Sequence, residues 1–229
     1  MVRTFSYQGQ DLFVLEACDN LRGGYFIDSG ASDGVRGSNT KLLESVYGWR
    51  GICVEPNNAL YAELVANRSC ICINCCLYYY DGSVEFFEAA KVYGGIVHEY
   101  VPAHLQFARL FVARAASGEH QVALPTVLKP ARTIRSVLRS CGAPKVIDYW
   151  SLDTEGSELA ILRSFPFDEY RLRVLTVEHN YSSSRDEIRA FLAARGYRRV
   201  RSLGIDDGYI WVGNGDVPAW RSRVWRRPR

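Results

Sequence analysis

The chain has 229 residues, 48% of them apolar, with 28 Lys and Arg against 25 Asp and Glu, a formal net charge of +3. That length supports one sizeable core and is short for two domains, and the near-balanced charge gives no general affinity for nucleic acid. No apolar run approaches the ~18 residues that a membrane span requires.

The N-terminal stretch MVRTFSYQGQDLFVLEACDN contains no apolar h-region, so no secretory leader is expected. Seven unevenly spaced cysteines then read as reduced thiols and point to a cytoplasmic protein. The apolar run Tyr25-Phe26-Ile27 stops at Asp28 and is followed by Gly30, Asp33, Gly34 and Gly37. This reads as a strand ending in a glycine-rich bend. SNTKLLESVYG follows as a helix, with Ser38 as its N-cap. RGICVEPN is a second strand. NALYAELVANR has helical spacing, with Leu60, Leu64 and Val65 on one side. SCICINCCLY reads as a third strand, and DGSVEFFEA either pairs with it or extends the sheet. Residues 88–130 lack a clean period and are taken as an insertion with one helix, AHLQFARLFVARAA. ARTIRSVLRSCG is a helix stopped by Gly142, KVIDYWSLD a fourth strand, SELAILRSF a helix and YRLRVLTVEHN a fifth strand. SRDEIRAFLAARGY is a helix ending at Gly196, and RRVRSLG with DGYIWVG forms an antiparallel hairpin. Strand–helix alternation with apolar strands predicts an α/β fold, a doubly wound and mostly parallel sheet closed by a C-terminal antiparallel hairpin. The chain is expected to form one domain, with a basic tail at 219–229 read as a solvated end.

In such a sheet the ligand binds beyond the carboxyl ends of the strands. Those positions hold Asp28, Glu55-Pro56, Asp153 with Glu155, and Glu178-His179-Asn180. An acidic rim repels the phosphates of NAD or ATP, and neither G-x-G-x-x-G nor a P-loop is present. S-adenosylmethionine fits better: it has no phosphate and carries a sulfonium, an ammonium group and a ribose diol. Asp28 and the Gly30 loop suit its amino-acid end. Glu55 suits a bidentate hydrogen bond to the ribose hydroxyls.

FIDSGASDGVRGSNTKLLE, GWRGICVEPN, DYWSLDTEGSELAIL and VLTVEHN together resemble the FkbM-type S-adenosylmethionine-dependent methyltransferases, over about residues 22–212. The resemblance implies a class I methyltransferase (Rossmann-like) fold with a seven-stranded sheet and an antiparallel last strand. It also implies O-methylation, often of sugar or natural-product hydroxyls. By matching motif it places Asp28, Gly30, Asp33 and Gly34 in the cofactor loop. Ser38, Asn39 and Thr40 fall at the methionine end, and Glu55, with Pro56, at the ribose. Asp153, Glu155, Gly156 and Glu158 form the D-x-E-G-x-E block. INCCLYYYDG departs from the family's Asn-x-Ala, which leaves the adenine contacts open.

Methyl transfer is in-line displacement at carbon, so the protein mostly supplies alignment. An alcohol acceptor also needs its proton removed, for which Asp153, Glu155 and His179 are candidates, with His98 reaching in from the insertion. A divalent cation, Mg²⁺ or Ca²⁺, on Asp153, Glu178 and Asn180 is an alternative. Glu158 also suits a plain helix N-terminus. The cysteines, including Cys72-x-x-Cys75, read as small apolar residues and not a zinc site, and Tyr78-Tyr79-Tyr80 as strand packing. The expected partner is a small hydroxylated acceptor such as a glycan, and nucleic acid is not expected. Two other functions stay open: a non-catalytic binding domain on the same fold, and a methyltransferase for nucleic acid or protein.

Overall fold

The computed structural model describes residues 4–100, 105–106, 108–110, 112 and 125–213. The centre of the fold is a seven-stranded sheet. Its strands are β1 (Tyr25–Ser29), β2 (Arg50–Val54), β3 (Ile71–Ile73), β7 (Val146–Leu152), β8 (Arg171–Glu178), β9 (Tyr197–Leu203) and β10 (Asp206–Trp211). They lie in the order β3-β2-β1-β7-β8-β10-β9. β1 pairs in parallel with β2 on one side and β7 on the other, and β10 alone runs antiparallel to its neighbours β8 and β9. This is the expected doubly wound sheet with its antiparallel closing hairpin, the class I methyltransferase topology.

The apolar strands follow from burial on both faces. With a side-chain period of two, Phe26, Tyr149 and Val174 face one layer while Ile27, Trp150 and Leu175 face the other. The first layer is covered by α1 (Gln10–Ala17), α2 (Lys41–Tyr47) and α3 (Asn58–Asn67), through Phe13, Val14, Leu42, Leu43 and Leu64. The second is covered by α4 (Ile134–Ser140), α5 (Glu158–Ser164) and α6 (Ser184–Ala193), through Ile134, Leu138, Ile161, Leu162, Ile188 and Leu192. Among the described residues no helix is long and apolar enough to cross a membrane.

Several sequence expectations need correction. α2 starts at Lys41 and not directly after Ser38, although the Ser38 hydroxyl still accepts from the Lys41 N–H at 3.1 Å. Val65 is 50% exposed, because one residue beyond Leu64 lies a hundred degrees round the helix. SCICINCCLY is two strands. Asn74 breaks it by donating to the carbonyls of Glu55 and Pro56, and β4 (Cys76–Leu77) then joins a second sheet. That sheet has the order β4-β6-β5, with β5 (Gly82–Phe86) antiparallel to β6 (Val127–Arg132). β6 takes the end of the expected insertion and the first residues of the expected helix, so α4 begins only after its cap Thr133. Between β5 and β6, residues 88–93 form a 3₁₀ segment in which Lys91 has a φ of 52°. The helix expected at 103–116 is helical where described, at 105–106, 108–110 and 112. The 219–229 tail lies outside the described residues.

Candidate active site

Strand order reverses between β1 and β7, and a cavity of ≈690 Å³ opens there, beyond the strand ends. Ligand pockets run from about 300 to 1,000 Å³, so this one has room for a nucleoside-sized ligand and part of a second molecule.

The β1–α2 loop forms one wall. Gly30 has a φ of 80°, and a Cβ there would stand 1.9 Å from the carbonyl oxygen of Asp153. Only glycine lets the ends of β1 and β7 close on each other. Asp28 is buried at the end of β1 and accepts from the Thr40 hydroxyl at 2.5 Å. Burial pushes its carboxyl above the usual range, against the pull of Arg68. Asn39 lines the cavity and donates to the Ser151 hydroxyl at 2.8 Å, while its Oδ1 is buried with no hydrogen-bond partner among the described residues. Asp33 also lines the cavity, but its Oδ1 is held by the N–H groups of Val35 and Arg36, each at 2.8 Å, so it shapes the loop.

Glu55, at the end of β2, forms the second wall beside Pro56. Its carboxylate accepts from the Ser32 N–H at 2.8 Å and the Asn57 N–H at 2.7 Å. Burial raises its pKa to about 7. Both oxygens keep a lone pair for a diol. Leu60, Cys76, Leu77, Phe86 and Ile96 add an apolar side that suits a flat base.

The third wall is acidic. Asp153, Glu155 and Glu178 line the cavity, and donor oxygens of all three lie within 4.8 Å of one another. The Glu155 N–H donates to Glu178 at 3.3 Å, with Glu155 at a φ of 60°. Burial first, and then the repulsion of neighbouring carboxylates that include Glu155, Glu158 and Asp206, holds both Asp153 and Glu178 well above the ordinary carboxyl range. Behind them Asp206 sits opposite Glu178 in the β8–β10 ladder, bonded to Gln10 at 2.7 Å and raised by burial to about 6.

Other expected site residues lie elsewhere. His179 does not line the cavity, because the residue after Glu178 points to the opposite face. Its Nδ1 accepts from the Tyr181 N–H at 3.0 Å, its Nε2 lies 3.8 Å from Asp207, and burial lowers its pKa. Asn180, at a φ of 44°, does not line the cavity, whereas Glu155 does, beside Asp153 and Glu178. His98 bonds to the Tyr78 hydroxyl at 2.6 Å away from the cavity. Gly34 and Thr40 stand behind the wall, Gly34 against Arg68 and Leu64, Thr40 on Asp28. Glu158 accepts from the N–H groups of Thr154 and Gly156 and ties down the loop that leads into its own helix. Cys72 and Cys75 pack into opposite layers, as small apolar residues do, and all seven cysteines are free. The tyrosine run falls beyond β4, with Tyr78 buried and Tyr79 54% exposed. Sequence reasoning missed Arg68, Ser151 and Asp206; no spacing or motif marks them.

The methyltransferase FkbM domain matches residues 28–199, three-quarters of the chain and the residues named on all three walls of the cavity. The chain belongs to that family. No protein of curated function matches. Among solved structures, the family member is similar to the N-terminal domain of human METTL16, at 11% identity and a TM-score of 0.48, over 92% of this chain and 71% of that one. It is also similar to the human methyltransferase 10 domain containing protein, at 11% and 0.47, over 92% and 84%. A third is the human METTL16 catalytic domain solved with the MAT2A 3′UTR hairpin 6, at 11% and 0.47, over 95% and 74%. These likenesses concern the fold alone.

Proposed function

We propose that this FkbM-family protein transfers a methyl group from S-adenosylmethionine to a hydroxyl oxygen of a small acceptor, a sugar or a glycosylated natural product. The observation that carries the reading is the buried Oδ1 of Asn39, an acceptor with no partner among the described residues, on a cavity wall that also holds the Asp28 carboxyl. A buried acceptor left unpaired is costly, and an ammonium donor from a ligand satisfies it. Glu55 accepts the ribose diol, and the apolar side of the cavity takes the base. The acceptor hydroxyl attacks the methyl carbon in line with the breaking C–S bond. The C–O bond forms, the sulfonium becomes a neutral thioether, and the acceptor proton passes to a carboxylate of the third wall. Asp153 and Glu155 are the bases proposed; His179 takes no part because it lies outside the cavity.

Asp153, Glu155 and Glu178 are hard oxygen donors of the kind Mg²⁺ or Ca²⁺ takes. An ion there would lower the acceptor hydroxyl's pKa. EDTA sorts the two cases. Turnover lost with cofactor binding retained brings the ion in, and indifference to EDTA removes it.

The test is calorimetry with S-adenosylmethionine on wild type and Glu55→Ala, followed by a panel of hydroxylated acceptors. Binding by the wild type and loss in the variant support the reading. Binding by neither favours a non-catalytic domain. Binding with turnover confined to RNA replaces the acceptor class.

A further inference from the structure

Resting on that reading of the cavity, we infer that Arg68 is a positioning residue of the cofactor site: its buried guanidinium holds the β1–α2 loop from behind and sets the groups that meet the amino-acid end of the donor.

Arg68 follows α3 and is only 7% exposed. Its Nη2 donates to the Thr40 hydroxyl at 2.9 Å, and that hydroxyl donates onward to Asp28 at 2.5 Å. Its Nη1 donates to the Gly34 carbonyl and the Ser38 hydroxyl, both at 3.3 Å. Its Nε donates to Glu44 at 2.5 Å, and Glu44 in turn accepts from the Ser69 and Cys70 N–H groups. The guanidinium carbon stands 5.4 Å from the centre of the Phe26 ring.

One side chain therefore pins the loop at Gly34, Ser38 and Thr40, and reaches Asp28 through Thr40. Neither Arg68 nor Thr40 lines the cavity, whereas Asp28, Ser38 and Asn39 do. The guanidinium thus acts through groups that touch the ligand space and does not touch it itself. Because Thr40 accepts from a permanent cation, its single proton is committed to Asp28, which fixes that carboxylate's orientation. Arginine is required by geometry as well as charge: a planar fork serves several fixed acceptors at once, and a lysine ammonium is a point charge on a flexible stem.

The test uses the full chain and two probes, S-adenosylhomocysteine and 5′-methylthioadenosine. The second has the same adenosine half and no amino-acid end. Calorimetry is run on wild type, Arg68→Lys and Thr40→Val. Both variants should lose roughly tenfold or more in affinity for S-adenosylhomocysteine, while their affinity for 5′-methylthioadenosine stays within about twofold. An equal loss for both probes, which a merely structural role would give, overturns the inference, and so does no loss for either. Should Arg68→Lys fail to fold, Thr40→Val decides alone, since it cuts the same chain and keeps the buried cation. A wild type that binds neither probe overturns the reading of the cavity itself, and the inference with it.

Discussion

At the scale of single residues, Glu55 carries the clearest pH signature. Its folded pKa is about 7 against an ordinary 4.5, because burial penalises the anion more than two backbone N–H bonds repay. The folded state therefore holds a proton that the unfolded chain releases. The stability this contributes is present below about 4.5 and is lost as pH rises through about 7. Cofactor binding runs the other way, since a ribose diol donates to the ionised carboxylate. Affinity for S-adenosylmethionine should rise between about pH 6 and 8, with proton release seen as a buffer-dependent heat. A flat profile with no buffer dependence argues against Glu55 as the ribose acceptor. His179 is the opposite case. His179→Ala should cost about 1–3 kcal/mol in urea unfolding, through a lost buried contact and an emptied site, and leave cofactor affinity unchanged. A drop in affinity would return His179 to the binding site.

At the scale of elements, the site depends on one close approach. β1 and β7 end side by side, and the Gly30 N–H reaches the Val54 carbonyl at 3.0 Å while the Asp153 N–H reaches Ser29 at 3.1 Å. A methyl group on Gly30 meets backbone and not a movable side chain. Gly30→Ala should cost about 3 kcal/mol or more, from left-handed strain plus the collision, and should weaken cofactor binding. Unchanged unfolding and binding would mean that the two loops are not in contact. The same junction places Asp153: its backbone packs on the end of β1, and the residue lines the cavity.

For the whole molecule, α1 ties the closing hairpin to the first layer. Phe13, Val14 and Leu15 are buried, Gln10 bonds to Asp206, and Asp11 takes N–H and hydroxyl donors from Phe5, Ser6 and Thr4. Burying three such side chains stabilises by about 5–9 kcal/mol as an upper figure, comparable to the whole stability of a typical domain. A chain lacking residues 1–17 should lose its cooperative thermal transition and expose apolar surface to a dye. A sharp transition near the wild-type temperature would show α1 to be an accessory.

The order of strands and helices was legible because parallel strands buried on both faces read as apolar runs, and helices between them read by period. The acids that end β1, β2, β7 and β8 were legible for the same reason: Asp28, Glu55, Asp153 and Glu178 each follow such a run. β6 was hidden, since Pro130 argues against a strand and its partners lie far off in sequence. The sequence also could not separate Glu178 from His179 and Asn180. Which of three consecutive residues faces a cavity depends on strand phase and on the turn that follows, and both are set by packing. Arg68 was silent because its meaning arises only when the end of α3 is folded under a loop thirty residues earlier. Composition and periodicity determined the architecture and the acidic rim; tertiary structure alone decided which of those acids meet, because side-chain direction is a property of the packed chain and not of the string.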